Sequence, residues 1–497
     1  MGRLKSEAKA PELVEYVMAP FLADMGQYFD AHLRIHKAHV VMLCEQRLVD
    51  AEEGGSILAA LREMERAGPE GLALHHDTDL YMQMEAYVSR RAPKAGGKMH
   101  MGRSRNDLYA CGARLLTRDR LAALIADLLD LQEAVLARAE EHAVTVMPGY
   151  THLQHAEPIT LGHFLLAFHD ALARDLKRLA AAYDNANQNA LGSSALAGSS
   201  FPLDRERTAA LLGFDGLVEN SYDAVAARDY VVEAMGALAV MASTVARVVD
   251  TLIIWCTSEF GMIDMPDSYG YTSSIMPQKR NPGYFLESVR CKSARITGDM
   301  SSALCTLKGT TFAQSRDTSF EITIALFRAF GEARGIVNVM RGVARAMIVN
   351  ADAMQQNCAR EFSGATEIAN FLVRERALNF RSAYMIVANT VRLACERGLG
   401  PAAVTPALVD EAAREVLGRP VDLPEPALRQ ALSPAANVEL KRTAGSPSRS
   451  EVLRMLERRQ RDLARDRAEH QARRDRLARA DGLLETAIDA LAPPARA

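Results

Sequence analysis

DAVAARDYVVEAMGALAVMASTVARVVDTLIIWCTSE, residues 223–259, contains no proline and places Val231, Val232, Met235, Leu238, Met241, Val245 and Val248 on successive helical turns. The spacing predicts a helix apolar on nearly every side, which belongs in a core or an interface. Working outward, 115–147 runs without glycine or proline. Leu121, Leu124, Ile125, Leu128, Leu131 and Val135 recur at helical spacing there, and Pro148-Gly149 stops the helix. Another long helix is predicted over about 160–185 (Leu165, Leu166, Phe168, Leu172, Leu176, Leu179), with two more over about 283–307 and 319–349. Long helices joined by polar loops predict an all-α protein built on a helical bundle. Strands do not alternate with helices and no Gly-x-Gly-x-x-Gly occurs, so nothing supports a nucleotide-binding α/β fold. The expected organisation is an N-terminal helical domain over 1–110, the bundle over 111–360 and a C-terminal helical domain over 361–497.

The chain has 497 residues, 48% hydrophobic and 24% charged, with a formal net charge of −3. That balance gives no electrostatic reason to expect nucleic acid or a membrane as partner. The Arg-rich tail from Glu451 is interleaved with Asp and Glu and reads as a solvated helix. The seven cysteines are scattered without Cys-x-x-Cys spacing, so neither a zinc site nor a disulfide frame is signalled and a reducing cytoplasm is expected. No signal peptide is visible, and no apolar run is expected to span a bilayer. The start Met-Gly-Arg-Leu-Lys-Ser loosely matches an N-myristoylation pattern.

Four polar stretches interrupt the helical background: 100–107 (HMGRSRND), 147–154 (MPGYTHLQ), 192–204 (GSSALAGSSFPLD) and 273–282 (SSIMPQKRNP). Each has a plain structural reading. Arg103, Arg105 and Asp107 suit a capped helix start with surface ion pairs, His152 a helix-end histidine, and Ser273-Ser274 an N-cap. The fourth stretch is harder to dismiss. It gathers two hydroxyls, a lysine and an asparagine within nine residues, and loops holding several polar types tend to be functional.

This fourth stretch resembles the fumarase/aspartase signature, Gly-Ser-Ser-x-Met-Pro-x-Lys-x-Asn-Pro. The first two resemble the His-Thr-Gly-Arg-Ser-Arg-Asn-Asp and Met-Pro-Gly-Tyr-Thr-His-Leu-Gln runs of argininosuccinate lyases, and 191–233 is similar in order and spacing. The resemblance implies a three-domain helical fold, a homotetramer with shared active sites, and anti β-elimination of an amine to leave fumarate, without metal or organic cofactor. It implies Ser273 as base and His152 as general acid or relay. Lys279 and Asn281 would hold the carboxylate that takes up charge. Ser104, Arg105 and Asn106 would hold the other carboxylate, with Thr151 as a further donor. Arginine suits this role because its planar fork matches a carboxylate.

Several positions depart from that pattern. Thr272 replaces the signature glycine, with Gly270 nearby. Glu287, the candidate to orient His152, lies one residue further on than usual, and a surface glutamate is the competing reading. Tyr81 and Tyr384-Met385 replace histidines. Gln314, Ser319 and Ile322 stand where argininosuccinate lyases carry substrate-contacting Tyr, Gln and Lys. The fumarate half is kept and the amine half changed. The expected substrate is therefore an N-(1,2-dicarboxyethyl) amine or amino acid, as for ethylenediamine disuccinate lyase, with Gln314 at the amine end. The rival readings are a true argininosuccinate lyase and an inactive, crystallin-like structural relative.

Overall fold

The computed structural model describes residues 9–72 and 78–492; the start that matches the myristoylation pattern lies outside them. Three helices lead in: α1 (Phe29–Glu45), α2 (Ala51–Ala67) and α3 (Leu80–Arg91). Asp50 and Asp79 cap α2 and α3 by accepting the Glu53 and Met82 N–H groups. The bundle follows. Helix α4 (Arg105–Glu141) runs into a hairpin of β1 (Val146–Thr151) and β2 (Gln154–Thr160), and the chain returns along α5 (Leu161–Ala186). Thr160 caps α5 through the His163 N–H.

A short helix α6 (Ser221–Ala226) precedes α7 (Asp229–Trp255). The sequence predicts one helix across both, and the break has a physical cause. Arg228 turns inward and spends its guanidinium on the carbonyls of Val225, Ala227 and Thr318. The chain restarts after it.

Beyond α7 come three two-residue strands, β3 (Ile263–Asp264), β4 (Tyr271–Thr272) and β5 (Arg280–Asn281), then α8 (Tyr284–Lys308), α9 (Ile322–Ala346) and β6 (Ile348–Val349). Strand β3 pairs with β6, and β4 with β5, both antiparallel. Helices α4, α5, α7, α8 and α9 pack side by side around a continuous apolar core. By length and composition α7 would suffice to cross a bilayer, contrary to the sequence expectation. Its contacts with α5, α8 and α9 are those of a core helix.

A second apolar cluster joins α10 (Ala365–Arg376), α11 (Phe380–Glu396) and α12 (Pro406–Leu417). The Arg-rich tail is a 43-residue helix, α13 (Arg449–Leu491). It buries Val452, Leu456, Leu463, Leu484 and Ile488 and lies back along α4, α1 and α2.

The directions of the helices fix two ends of the bundle. At one end, Arg114 near the start of α4 donates to Asn185 O and lies over the Tyr230 ring at the start of α7. At the other, Gly162 N donates to His142 O, Phe164 packs on Trp255, and Arg138 donates to Met347 O. Helices α4, α7 and α9 therefore run one way, and α5 and α8 the other.

Candidate active site

Ser104 and Asp107 form a reciprocal capping box at the start of α4. Asp107 is fully buried, and it also accepts the Gly192 and Ser194 N–H groups at 2.9 and 3.0 Å. One carboxylate thus stitches the Gly/Ser-rich loop to the helix start, and burial pushes its pKa up to about 6. The cap of the plain reading holds, but Arg103 is buried against His36 instead of forming a surface ion pair, and the same cap sets two neighbours in place. Arg105 stands half-exposed, donating to Asp79 at 2.6 Å and leaving the rest of its fork open. Asn106 donates to Ala195 O at 3.1 Å. From that loop the contacts continue, Ser221 Oγ to Leu196 O and Tyr222 OH to Phe312 O. They lead to Gln314, whose side-chain oxygen accepts from Arg228. Ser104, Arg105, Asn106 and Gln314 therefore share one end of the bundle. Ser319 and Ile322 are only 2% exposed, so of the three replaced positions Gln314 alone reaches the surface.

Thr151, His152, Ser273, Lys279, Asn281 and Glu287 belong to the opposite end. His152 is a hairpin-turn residue rather than a helix-end one. His152 and Leu153 are the two turn residues, with φ of 54° and 59°. Hairpin turns of this hand favour Asn-Gly, and two larger side chains there cost about 1 kcal/mol or more each. His152 and Leu153 stand exposed at the tip, with Thr151 beside them. The hairpin rests on the segment after α7, through Tyr150 against Phe260 and Met262.

That segment carries the Ser273 loop on a stem in which Tyr271 pairs with Asn281 and Thr272 with Arg280. Thr272 is thus a strand residue, and Gly270, with φ of −82°, uses no glycine-specific conformation. Ser273 caps no helix. Its hydroxyl oxygen accepts the N–H groups of Ile275 and Met276 at 3.3 and 3.1 Å. Helix α8 starts two residues past Pro282, and Glu287 stands exposed in its first turn while Leu286 is buried.

The two groups cannot meet within one chain. Helix α4 has 37 residues, and at about 1.5 Å per residue it holds Arg105 about 55 Å from the end that bears the hairpin. The candidate residues thus stand in two groups at opposite poles of the chain.

Sequence reasoning missed a buried polar cluster behind Arg105. His32, His36 and His39, spaced to share one face of α1, gather with His100, Tyr81 and Arg103. Arg103 donates to His36 Nδ1 at 2.8 Å, and His39 Nε2 donates to Met101 O. Burial first, then the Arg103 charge, holds all four imidazoles well below their ordinary pKa, His32 and His100 at about 3. The i, i+4, i+7 spacing was the available signal.

Comparison with known proteins identifies the family. A lyase family model matches residues 34–298, and an argininosuccinate lyase C-terminal model matches 362–439. Argininosuccinate lyase of Methanothermobacter thermautotrophicus is 38% identical over 84% of this chain and 90% of its own. Argininosuccinate lyase 1 of Shouchella clausii is 36% identical over 94% of each. An EDDS lyase structure in complex with formate superposes with a TM-score of 0.86 at 34% identity, covering 98% of this chain and 96% of that one. A class II fumarase from Schistosoma mansoni, 16% identical over 82% of this chain and 90% of its own with a TM-score of 0.67, shares the fold. The chain belongs to the argininosuccinate lyase family of the fumarase/aspartase superfamily.

Proposed function

We propose that this protein cleaves the C–N bond of an N-(1,2-dicarboxyethyl) amine or amino acid at sites shared among four copies of the chain, in the cytoplasm. Its class, a carbon–nitrogen lyase that releases fumarate, is that of its family. Ser273 takes the proton from the carbon next to one carboxylate, giving an aci-carboxylate dianion. The C–N electron pair then leaves with the amine, and a proton from His152 neutralises it. The C–H is a very weak acid, so holding the charge on the carboxylate is the main task. Lys279 and Asn281 bind that group. Arg105, Asn106 and Ser104, supplied by another copy, bind the second carboxylate, and Thr151 adds a hydroxyl. Glu287, exposed on α8, is free to face His152 across a subunit contact.

The carrying observation is the Ser273 hydroxyl. A serine is a poor base unless its anion is stabilised, and two backbone N–H groups already point at this oxygen. The test offers fumarate with a panel of amines and follows loss of its ultraviolet absorbance. The rival, a true argininosuccinate lyase, is favoured by the names of the relatives. Against it stand Gln314, Ser319 and Ile322. Cleavage of argininosuccinate at kcat/KM on the order of 10⁴ M⁻¹s⁻¹ or above would establish the rival.

A further inference from the structure

We propose that a groove under the C-terminal helix, apart from the lyase site, binds a phosphate group, either free or carried by a small organic molecule. The groove, of about 570 Å³, lies between α13 and α4, with Arg34 of α1 and Arg334 of α9 also lining it. Two helix faces meet there. His470, Arg474, Leu477 and Asp481 recur at helical spacing on α13, as do Arg118, Ala122 and Ala126 on α4. Arg118 stands about 20 Å along α4 from Arg105, so the groove is separate from the candidate active site.

Four arginines and three aspartates line the groove. Each aspartate is already paired. Asp119 accepts from Arg118 Nε at 2.9 Å and from Arg34, Asp481 from Arg34 at 2.8 Å, and Asp127 from Arg334 at 2.6 Å. Arg474 is left over, exposed and without a hydrogen bond or ion pair to another described residue. The groove therefore holds one cation more than its carboxylates cancel.

A second observation lies beneath the surface. Arg118 is 0% exposed. Its Nη1 is spent on Asn187 Oδ1 and Leu212 O, while Nη2 has no acceptor among the described residues. Nε and Nη2 share one edge of the planar fork, and Nε points at Asp119, which lines the groove. The unpartnered edge is thus the one turned toward the groove. His470, 6% exposed, has neither ring nitrogen partnered. Buried donors without an acceptor are costly, so these atoms mark a place where an acceptor belongs.

An oxyanion meets that need. The donors come from Arg118, His470 and Arg474, three side chains on two helices. A phosphate offers three acceptor oxygens where a carboxylate offers two, and it matches the arginine fork. Between the charges the lining is short and apolar, with Ala122, Ala123, Ala126 and Leu477, which leaves room for an organic body beside the phosphate. Bound there, the phosphate ties α13 to α4.

The test titrates the full-length enzyme with inorganic phosphate, n-butyl phosphate and butyrate, with chloride holding the ionic strength constant, and follows amide hydrogen exchange peptide by peptide. Both phosphates should slow exchange in 467–481 and 115–127 more than butyrate does. Tighter binding of butyl phosphate identifies an ester as the natural form, and equal binding identifies free phosphate. Arg118→Gln risks misfolding, because that guanidinium also holds Asn187 and Leu212. The deciding variant is Arg474→Gln, at an exposed side chain. It should weaken phosphate binding by about tenfold or more, the scale of one charged hydrogen bond, with unfolding unchanged. Protection confined to 273–282 would place the anion at the lyase site alone and overturn the proposal. Butyrate as effective as phosphate, phosphate affinity unaltered by Arg474→Gln, or no protection by either phosphate would overturn it as well.

Discussion

Arg280 grips both carboxylate oxygens of Asp264, at 2.6 and 2.8 Å, while its Nε reaches Asp267 and its second terminal nitrogen the Met265 carbonyl. Two residues on each side is little for a stem to hold with backbone pairing alone. The clasp joins the base of the Ser273 loop to the β3 edge, so it sets where Ser273 and Lys279 stand. Exposed ion pairs add little stability, so the expected effect is on geometry. Arg280→Leu should lower kcat/KM by about 10- to 100-fold, the scale of an ångström of misplacement. Unfolding should barely change, and limited proteolysis should cut faster within 273–279. Unchanged kinetics would show that the loop is set by other means.

Ser273→Ala removes the proposed base from an exposed loop. The two backbone N–H groups it frees can turn to water, so stability should change by less than about 1 kcal/mol. Turnover should fall by about 10²-fold or more. A folded variant that keeps more than about a tenth of wild-type kcat would remove Ser273 from that role.

The imidazoles of His32, His36, His39 and His100 stay neutral in the fold, chiefly because burial penalises their charge. Their folded pKa values are depressed below the ordinary 6.5. Below that pH the unfolded chain binds protons that the folded chain does not. Stability is therefore full above pH 6.5 and falls as the pH drops toward about 3. Each histidine contributes a slope of up to about 1.4 kcal/mol per pH unit. Denaturant titrations between pH 4.5 and 6.5, at fixed protein concentration, should show this loss. His32 has both ring nitrogens buried without partners. His32→Leu should therefore flatten the slope by about one histidine's share. An unaltered slope would mean that His32 is protonated in the fold.

The bundle was legible because helical spacing is local. The apolar residues named on α5 line its packed face, but the helix expected to run to Pro148-Gly149 ends earlier, at Glu141, and Pro148 and Gly149 lie within β1. The break at Arg228 was not, since the apolar period runs on through it and one of its causes, Thr318, is 90 residues away. The hairpin escaped because its turn is His152-Leu153, with none of the glycine or asparagine that usually announces one. The tail reads as solvated from its arginines, yet one stripe of it is buried against the bundle. For the site, the motifs named residues without saying which share an end. Only the length of α4 and the helix directions divide them.

That division has an arithmetic consequence. Arg105 and His152 lie at opposite ends of α4, so one chain cannot bring both to one substrate. If copies associate so that unlike poles meet, each site takes its arginine from one chain and its histidine from another. Arg105→Ala and His152→Ala should then each be inactive alone, since every site contains one defect. Unfolding and refolding an equal mixture lets each site draw the two residues independently. About half the arginines and half the histidines are intact, so about a quarter of the sites regain both. Activity should return from two dead proteins, at roughly that share of wild type refolded in parallel. Sites built within single chains would gain nothing from mixing. A refolded mixture with the wild-type oligomeric mass and no activity would refute shared sites.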